Sequence, residues 1–157
     1  MSYLKAKHLS ELLVSKGLTI SVAESCTGGS LSSSLTSISG ASSYFNCGFI
    51  TYSNQSKIDM LGVNPESIEM FGAVSEKVAH EMVIGTGQRS HSNLAVSITG
   101  IAGPSGGTAS KPVGMVCIGF FFDGDVTTTT QFFKGSRSDI VSQSITYALV
   151  ELSLKLS

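Results

Sequence analysis

The stretch LTISVAESCTGGSLSSSLTSISG, residues 18–40, contains the pattern that decides the fold. Its first residues, Leu18 to Ala23, form a short apolar run with β-branched side chains, which is typical of a buried strand. The glycine pair Gly28-Gly29 follows, and apolar residues then recur at i, i+4 and i+7 from Leu31. The stretch therefore predicts a strand, a glycine loop and a helix that ends at Gly40.

Similar patterns continue on both sides of this stretch and predict an alternation of helices and strands. They predict a first helix ending at Gly17, strands at 47–52 and 93–98, a helix from Asn54 to Leu61 capped by Asn54, a longer helix capped by Ser75, and a last helix capped by Ser136 or Ser138.

The fold class follows from the order of these elements. Val113–Phe122 and Val126–Phe133 are predicted to pair across Asp123-Gly124, a dipeptide typical of tight hairpins. We therefore expect one α/β domain over residues 1–157, a three-layer α/β/α sandwich. Its mixed sheet would have a parallel core and an antiparallel hairpin at the edge.

Composition excludes several classes of protein. The 157 residues are 41% hydrophobic, enough for a core, but only 13% charged, with a net charge of −1. Nucleic-acid binding requires clustered Lys and Arg, so it is not expected. The chain has 28 Ser and 12 Thr, and this excess of hydroxyls gives many candidate nucleophiles without singling one out.

Other features predict a cytoplasmic protein without metal or cofactor. The cysteines Cys26, Cys47 and Cys117 are widely spaced and form no CxxC pair, which argues for a reducing compartment and against a zinc site. The longest apolar run, Met115 to Phe122, is far shorter than the about 18 residues of a membrane span. The N-terminus also lacks the apolar stretch of a secretory signal.

Two predicted strands open into glycine-rich loops, residues 24–29 and 99–107. Ligands of open α/β sheets usually bind beyond the carboxyl ends of the strands, where such loops gather. Neither loop matches GxGxxG or the Walker pattern. Taken alone, the loops are equally compatible with plain tight turns.

Tyr52 and Lys57 form the second candidate feature. They would lie about 140° apart on a helix, so they converge only if the chain changes from strand to helix between them. The predicted cap at Asn54 supplies that change. Lys57 would then lie in the first helical turn, where the helix dipole and burial lower the pKa of an amine. This position favours a general base, and a solvated surface lysine is the alternative.

Five blocks of sequence together resemble the CinA C-terminal-domain family. They are AESCTGG (23–29), YSNQSK (52–57), GAVS (72–75), TGIAGPSGG (99–107) and KPVG (111–114). The resemblance spans about Leu9 to Leu154 and indicates a stand-alone member of the nicotinamide mononucleotide deamidase (PncC) type. It implies hydrolysis of nicotinamide mononucleotide to nicotinic acid mononucleotide and ammonia.

The resemblance also implies catalytic roles. Ser25 corresponds to the nucleophile and Lys57 to its base, while Tyr52 would orient Lys57 or pass a proton to the leaving ammonia. The backbone amides of Cys26 to Gly28 are candidates for the oxyanion hole. A catalytic thiol at Cys26 is disfavoured, because no histidine is nearby in the sequence.

Binding roles are assigned in the same way. Thr27, Gly28, Gly29, Thr99 and Gly100 would hold the phosphate and ribose of the nucleotide substrate. Arg137 would clamp the phosphate or the carboxamide, since its guanidinium offers a rigid fork of donors; a surface arginine is the alternative. A homodimer is an expectation carried over from the family.

A second hypothesis belongs to another functional class. It is a non-hydrolytic nucleotide-binding or protein-interaction domain of the competence/damage-inducible CinA family. The presence of Ser25, Tyr52 and Lys57 favours the enzyme, because a binding domain has no chemical need for a lysine beside a helix N-terminus.

Overall fold

The computed structural model describes residues 2–157, in which six α-helices and five strands form the fold. In chain order these are α1 (Ser2–Lys16), β1 (Ile20–Glu24), α2 (Ser30–Thr36), β2 (Phe45–Ile50), α3 (Asn54–Leu61), α4 (Pro65–Phe71), α5 (Glu76–Ser90), β3 (Leu94–Gly100), β4 (Met115–Phe122), β5 (Asp125–Phe132) and α6 (Arg137–Leu156).

The strands form one mixed sheet in the order β2-β1-β3-β4-β5. β1 pairs in parallel with both β2 and β3, whereas β4 pairs antiparallel with β3 and β5. At the β4–β5 turn, Asp123 and Gly124 have φ values of 45° and 98°, the positive values that a tight two-residue hairpin needs. The predicted α/β class, with a parallel core and an antiparallel hairpin at the edge, is confirmed.

Helices cover both faces of the sheet because the central strands are apolar on both sides. Val22 of β1 packs in the larger core cluster, which also contains Leu9 of α1, Leu31 of α2 and Leu149 of α6. The next residue, Ala23, packs instead in a smaller cluster formed with α3 and α5. This alternation places α1, α2 and α6 on one face and the α3–α5 layer on the other.

Local details differ from the sequence prediction. The N-cap of α3 is Ser53 and not Asn54: the Ser53 hydroxyl accepts the amide of Ser56 at 3.1 Å. α4 was not predicted, although Asn64 caps it and Pro65 occupies its first position, both common helix starts. α2 ends at Thr36, before the predicted stop at Gly40.

α3, the helix that carries Lys57, packs closely on α5. Gly85 of α5 faces the last turn of α3, and a Cβ atom at this position would overlap the carbonyl oxygen of Leu61. Glycine therefore permits the backbones of α5 and of the helix that carries Lys57 to approach closely.

The described residues, 2–157, contain no helix with the length and apolar character needed to cross a lipid bilayer.

Candidate active site

Ser25 is the first residue after β1 and lies at the edge of the sheet where the parallel strands end. Its amide donates to the carbonyl of Ile98 at 3.0 Å, which ties the start of the glycine loop to β3. Its side chain is largely buried. The short loop of residues 25–29 then turns the chain from the sheet into α2.

Lys57 approaches Ser25 from α3. Its Nζ lies 2.9 Å from Ser25 Oγ, 2.7 Å from the carbonyl oxygen of Thr51 and 3.3 Å from that of Tyr52. Lys57 is only 1% exposed, so the alternative of a solvated surface lysine is wrong. These partners match the three donors of an ammonium group.

Burial sets the protonation of Lys57. It lowers the pKa of the amine from its ordinary 10.5 to about 8, because an ammonium loses solvation in the interior. About a tenth of the lysines are therefore neutral at pH 7. In the neutral form the two carbonyls can take both N–H groups, which leaves the lone pair to accept the proton of Ser25.

Cys26 borders the same site but is electrostatically different. Burial raises the pKa of its thiol to about 11, and the opposing effects of its own backbone amide and of Lys57 are smaller. The thiol is therefore protonated at neutral pH and carries no charge toward Lys57. A protonated thiol is a weak nucleophile, so the arrangement favours Ser25 Oγ over Cys26 Sγ as the reactive atom.

A cleft of about 270 Å³ opens over Ser25 and Lys57. Its lining comes from the ends of β1, β2 and β3 and from α3 and α6, and includes Ser25, Cys26, Tyr52, Lys57, Thr99, Gly100, Gly103 and Arg137. A larger, serine-lined depression of about 760 Å³ lies beside Arg137, but neither Ser25 nor Lys57 borders it. The smaller cleft is therefore the one that holds the reactive groups.

Tyr52 and Arg137 meet across the mouth of the cleft. Arg137 donates through Nη2 to the Tyr52 hydroxyl at 2.9 Å and through Nη1 to the Gly103 carbonyl at 2.7 Å. The Tyr52 side chain is 60% exposed, and its hydroxyl contacts Arg137 and not Lys57. Its influence on Lys57 runs through the backbone carbonyl instead.

Of the other predicted binding residues, two line the cleft and three do not. Thr99 and Gly100 line the cleft, and the Thr99 hydroxyl donates to the carbonyl of Ala73 at 2.9 Å. In contrast, Thr27, Gly28 and Gly29 are not part of the lining. These three belong to the loop between Ser25 and α2.

The loop leaves two of its amides without a backbone acceptor. The amide of Gly28 already donates to the Ser25 carbonyl at 3.1 Å. Those of Cys26 and Thr27 donate to no backbone carbonyl within residues 2–157. Of the three amides that the sequence suggested, that of Cys26 alone belongs to a residue lining the cleft, so it is the candidate donor to a developing negative charge.

Sequence reasoning missed Thr51, whose carbonyl is the shortest contact of the Lys57 amine. A backbone carbonyl can be supplied by any residue, so the identity of Thr51 carries no signal. Within residues 2–157 there is no group of three or more His, Cys, Asp or Glu side chains placed to hold a metal ion.

Sequence comparisons relate the chain to known proteins. The family model described as CinA C-terminal domain matches residues 3–156. The chain is 46% identical over 138 residues to "Nicotinamide-nucleotide amidohydrolase PncC" of Enterobacter agglomerans, covering 87% of this chain and 84% of that protein. It is 57% identical over 132 residues to a "CinA-like protein" of Chloroherpeton thalassium, covering 84% of this chain but only 30% of that relative.

Solved structures agree in fold over nearly the whole chain. A CinA superfamily protein from Klebsiella pneumoniae 700603 superposes with a TM-score of 0.97 at 30% identity, covering 99% of this chain and 98% of that one. The competence/damage inducible protein CihA from Agrobacterium tumefaciens gives 0.94 at 40% identity, with coverages of 99% and 94%.

Proposed function

The chain belongs to the CinA C-terminal domain family, and from this premise we propose that it hydrolyses nicotinamide mononucleotide to nicotinic acid mononucleotide and ammonia. The observation that carries the proposal is the contact of 2.9 Å between the buried Lys57 amine and the Ser25 hydroxyl. The name of the Enterobacter agglomerans relative, a nicotinamide-nucleotide amidohydrolase, supports this choice of substrate.

The first half of the reaction forms an acyl-enzyme. Neutral Lys57 takes the proton of Ser25 as Oγ attacks the carbonyl carbon of the carboxamide. The carbonyl oxygen becomes an oxyanion, which accepts a hydrogen bond from the amide of Cys26. As the C–N bond breaks, Lys57 returns its proton to the departing nitrogen, so ammonia leaves and an ester to Ser25 remains.

The second half repeats these steps with water. Lys57, neutral again, takes a proton from a water molecule whose oxygen attacks the ester carbonyl. Collapse of the second tetrahedral intermediate breaks the bond to Oγ, and Ser25 recovers a proton from Lys57. Nicotinic acid mononucleotide leaves, and both side chains return to their starting states.

The proposal is tested by incubating the purified protein with nicotinamide mononucleotide. We expect ammonia and nicotinic acid mononucleotide in equal amounts, measured by a coupled ammonia assay and by chromatography. Failure to release ammonia across pH 7 to 9 while the nucleotide still binds would overturn the enzymatic proposal in favour of the binding-domain hypothesis.

Arg137 is proposed to hold the substrate phosphate. Its guanidinium lies at the cleft, where both of its hydrogen-bond partners are neutral groups. Within residues 2–157 it forms no salt bridge. Charge-assisted hydrogen bonds contribute about 1.5–3 kcal/mol, so Arg137→Gln should raise KM by about 10- to 100-fold with a smaller change in kcat. Steady-state kinetics of ammonia release measure this.

A substrate without phosphate separates the two roles suggested for Arg137. Arg137→Gln should act on nicotinamide riboside nearly as the wild type does. This substrate has no phosphate, so neither protein can form the contact between Arg137 and phosphate. Lys134→Gln, which removes an exposed charge near the start of the same helix, is the matched control. Equal losses with both substrates would instead assign Arg137 to the carboxamide.

A further inference from the structure

Glu24, the last residue of β1, is a fully buried acid directly before the nucleophile, with an exposed fraction of 0%. Its carboxylate faces the start of α2. Oε1 accepts the amide of Leu31 at 2.8 Å, while Oε2 accepts the amide of Ser32 at 2.9 Å and the Ser32 hydroxyl at 2.7 Å. All three partners are donors, which an ionised carboxylate suits and a carboxamide does not.

α2 lacks a cap of its own. Its N-cap is Gly29, which has no side chain to accept an amide, and the helix has only seven residues. Helices this short are marginal in water unless other groups hold them. Glu24 therefore supplies, from the neighbouring strand, the acceptor that a serine or aspartate at the N-cap usually provides.

The buried Glu24 carboxylate would destabilise the fold if it lacked these hydrogen bonds. Within residues 2–157 no cation lies within salt-bridge distance of Glu24, so its charge is offset by the three donors and the start of α2. The carboxylate thus joins β1 directly to α2 across the loop of residues 25–29. Both ends of the loop that carries Ser25 are therefore held, one by β1 and the other by the contacts of Glu24 with α2.

We propose that Glu24 is a positioning residue that acts through this loop. Its carboxylate fixes residues 25–29 so that Ser25 Oγ stays within reach of Lys57, and the amide of Cys26 stays aimed at the oxyanion. The proposal rests on the proposed acyl transfer at Ser25. Glu24 is absent from the lining of the cleft, so it acts on substrate only through its neighbours.

The main test is Glu24→Gln, which keeps the shape but replaces one acceptor by a donor. Misplacement of reacting groups by about 1 Å can cost 10²-fold, so kcat should fall by about 100-fold. KM should change by less than about threefold, because substrate contacts remain. The pH midpoint of kcat should stay at its wild-type value, since Lys57 sets it.

Two serines of α2 supply a graded variant and its control. Ser32→Ala removes one of the three hydrogen bonds and should lower kcat by about fivefold, the equivalent of about 1 kcal/mol. Ser33→Ala makes the same change one residue later, at an exposed hydroxyl that does not contact Glu24, and should leave kcat unchanged. Thermal unfolding of each variant shows that it is folded, and if Glu24→Gln fails to fold, Ser32→Ala decides.

A substrate-independent measurement separates this proposal from the choice of nucleotide. A fluorophosphonate probe labels activated serines, and the labelling rate of Ser25 is followed by mass spectrometry. If the wild type labels at Ser25 but releases no ammonia, the proposed substrate is wrong, while slower labelling of Glu24→Gln still supports positioning. Three results would overturn the positioning role. They are wild-type kcat and labelling in folded Glu24→Gln, a shifted pH midpoint of kcat in that variant, or an equal loss of kcat in Ser33→Ala.

Discussion

Ser25→Ala is expected to abolish ammonia release, lowering kcat by a factor on the order of 10⁵ or more, as for other serine nucleophiles. The alanine removes only Oγ, so no acyl-enzyme can form. The Lys57 amine keeps its hydrogen bonds to the carbonyls of Thr51 and Tyr52. The free energy of unfolding should therefore change by only about 1 kcal/mol, and the loss is chemical.

The measurement is ammonia release at saturating nicotinamide mononucleotide. Mass spectrometry of the peptide that contains residues 25–29 then searches for a covalent adduct. Ser30→Ala is the matched control, because it makes the same substitution at the start of α2 and outside the cleft lining. Substantial activity in Ser25→Ala would contradict the serine mechanism and point to direct attack by water.

Lys57→Met is expected to lower kcat by about 10³- to 10⁴-fold, because it removes the general base but keeps a long apolar stem. The wild-type rate should rise about tenfold per pH unit below pH 8 and level off above it. The sign follows from burial: it favours the neutral amine, the form that accepts a proton, so activity is lost as the pH falls through about 8.

The pH dependence of kcat between pH 6 and 9.5 checks this prediction. The residual activity of Lys57→Met should show no inflection near pH 8. Lys77→Met, a change at an exposed lysine on the α3–α5 layer, should keep the wild-type profile. A wild-type midpoint near the ordinary lysine value, or an inflection that survives in Lys57→Met, would contradict a base role for this residue.

The fold was predictable where one local pattern determined the element. β1 is buried on both faces, so its apolar run is nearly continuous, and Asp123-Gly124 carries the backbone preference of its turn. α4 was not predicted because two of its apolar residues, Met70 and Phe71, are exposed and do not mark its buried face. Such a helix has little apolar periodicity to detect.

The candidate site was likewise predictable only where a local pattern marks the residue. Ser25 and Lys57 stand beside recognisable local signals, the glycine pair and the strand-to-helix change. The hydrogen bond of Arg137 to Tyr52 joins residues 85 positions apart, and no local pattern encodes such a contact. The cause of the lowered pKa of Lys57 was also only partly predictable, since burial by tertiary packing dominates it.

The protonated thiol of Cys26 has a consequence for the resistance of this site to oxidation. Peroxide attacks thiolates, and a thiol with a pKa of about 11 has a thiolate fraction on the order of 10⁻⁴ at pH 7. A thiol that stays protonated reacts slowly with peroxide, so Cys26 is protected from conversion to a sulfenic acid although it borders the cleft. The proposed mechanism uses a serine and a lysine, so it does not depend on a redox-sensitive group.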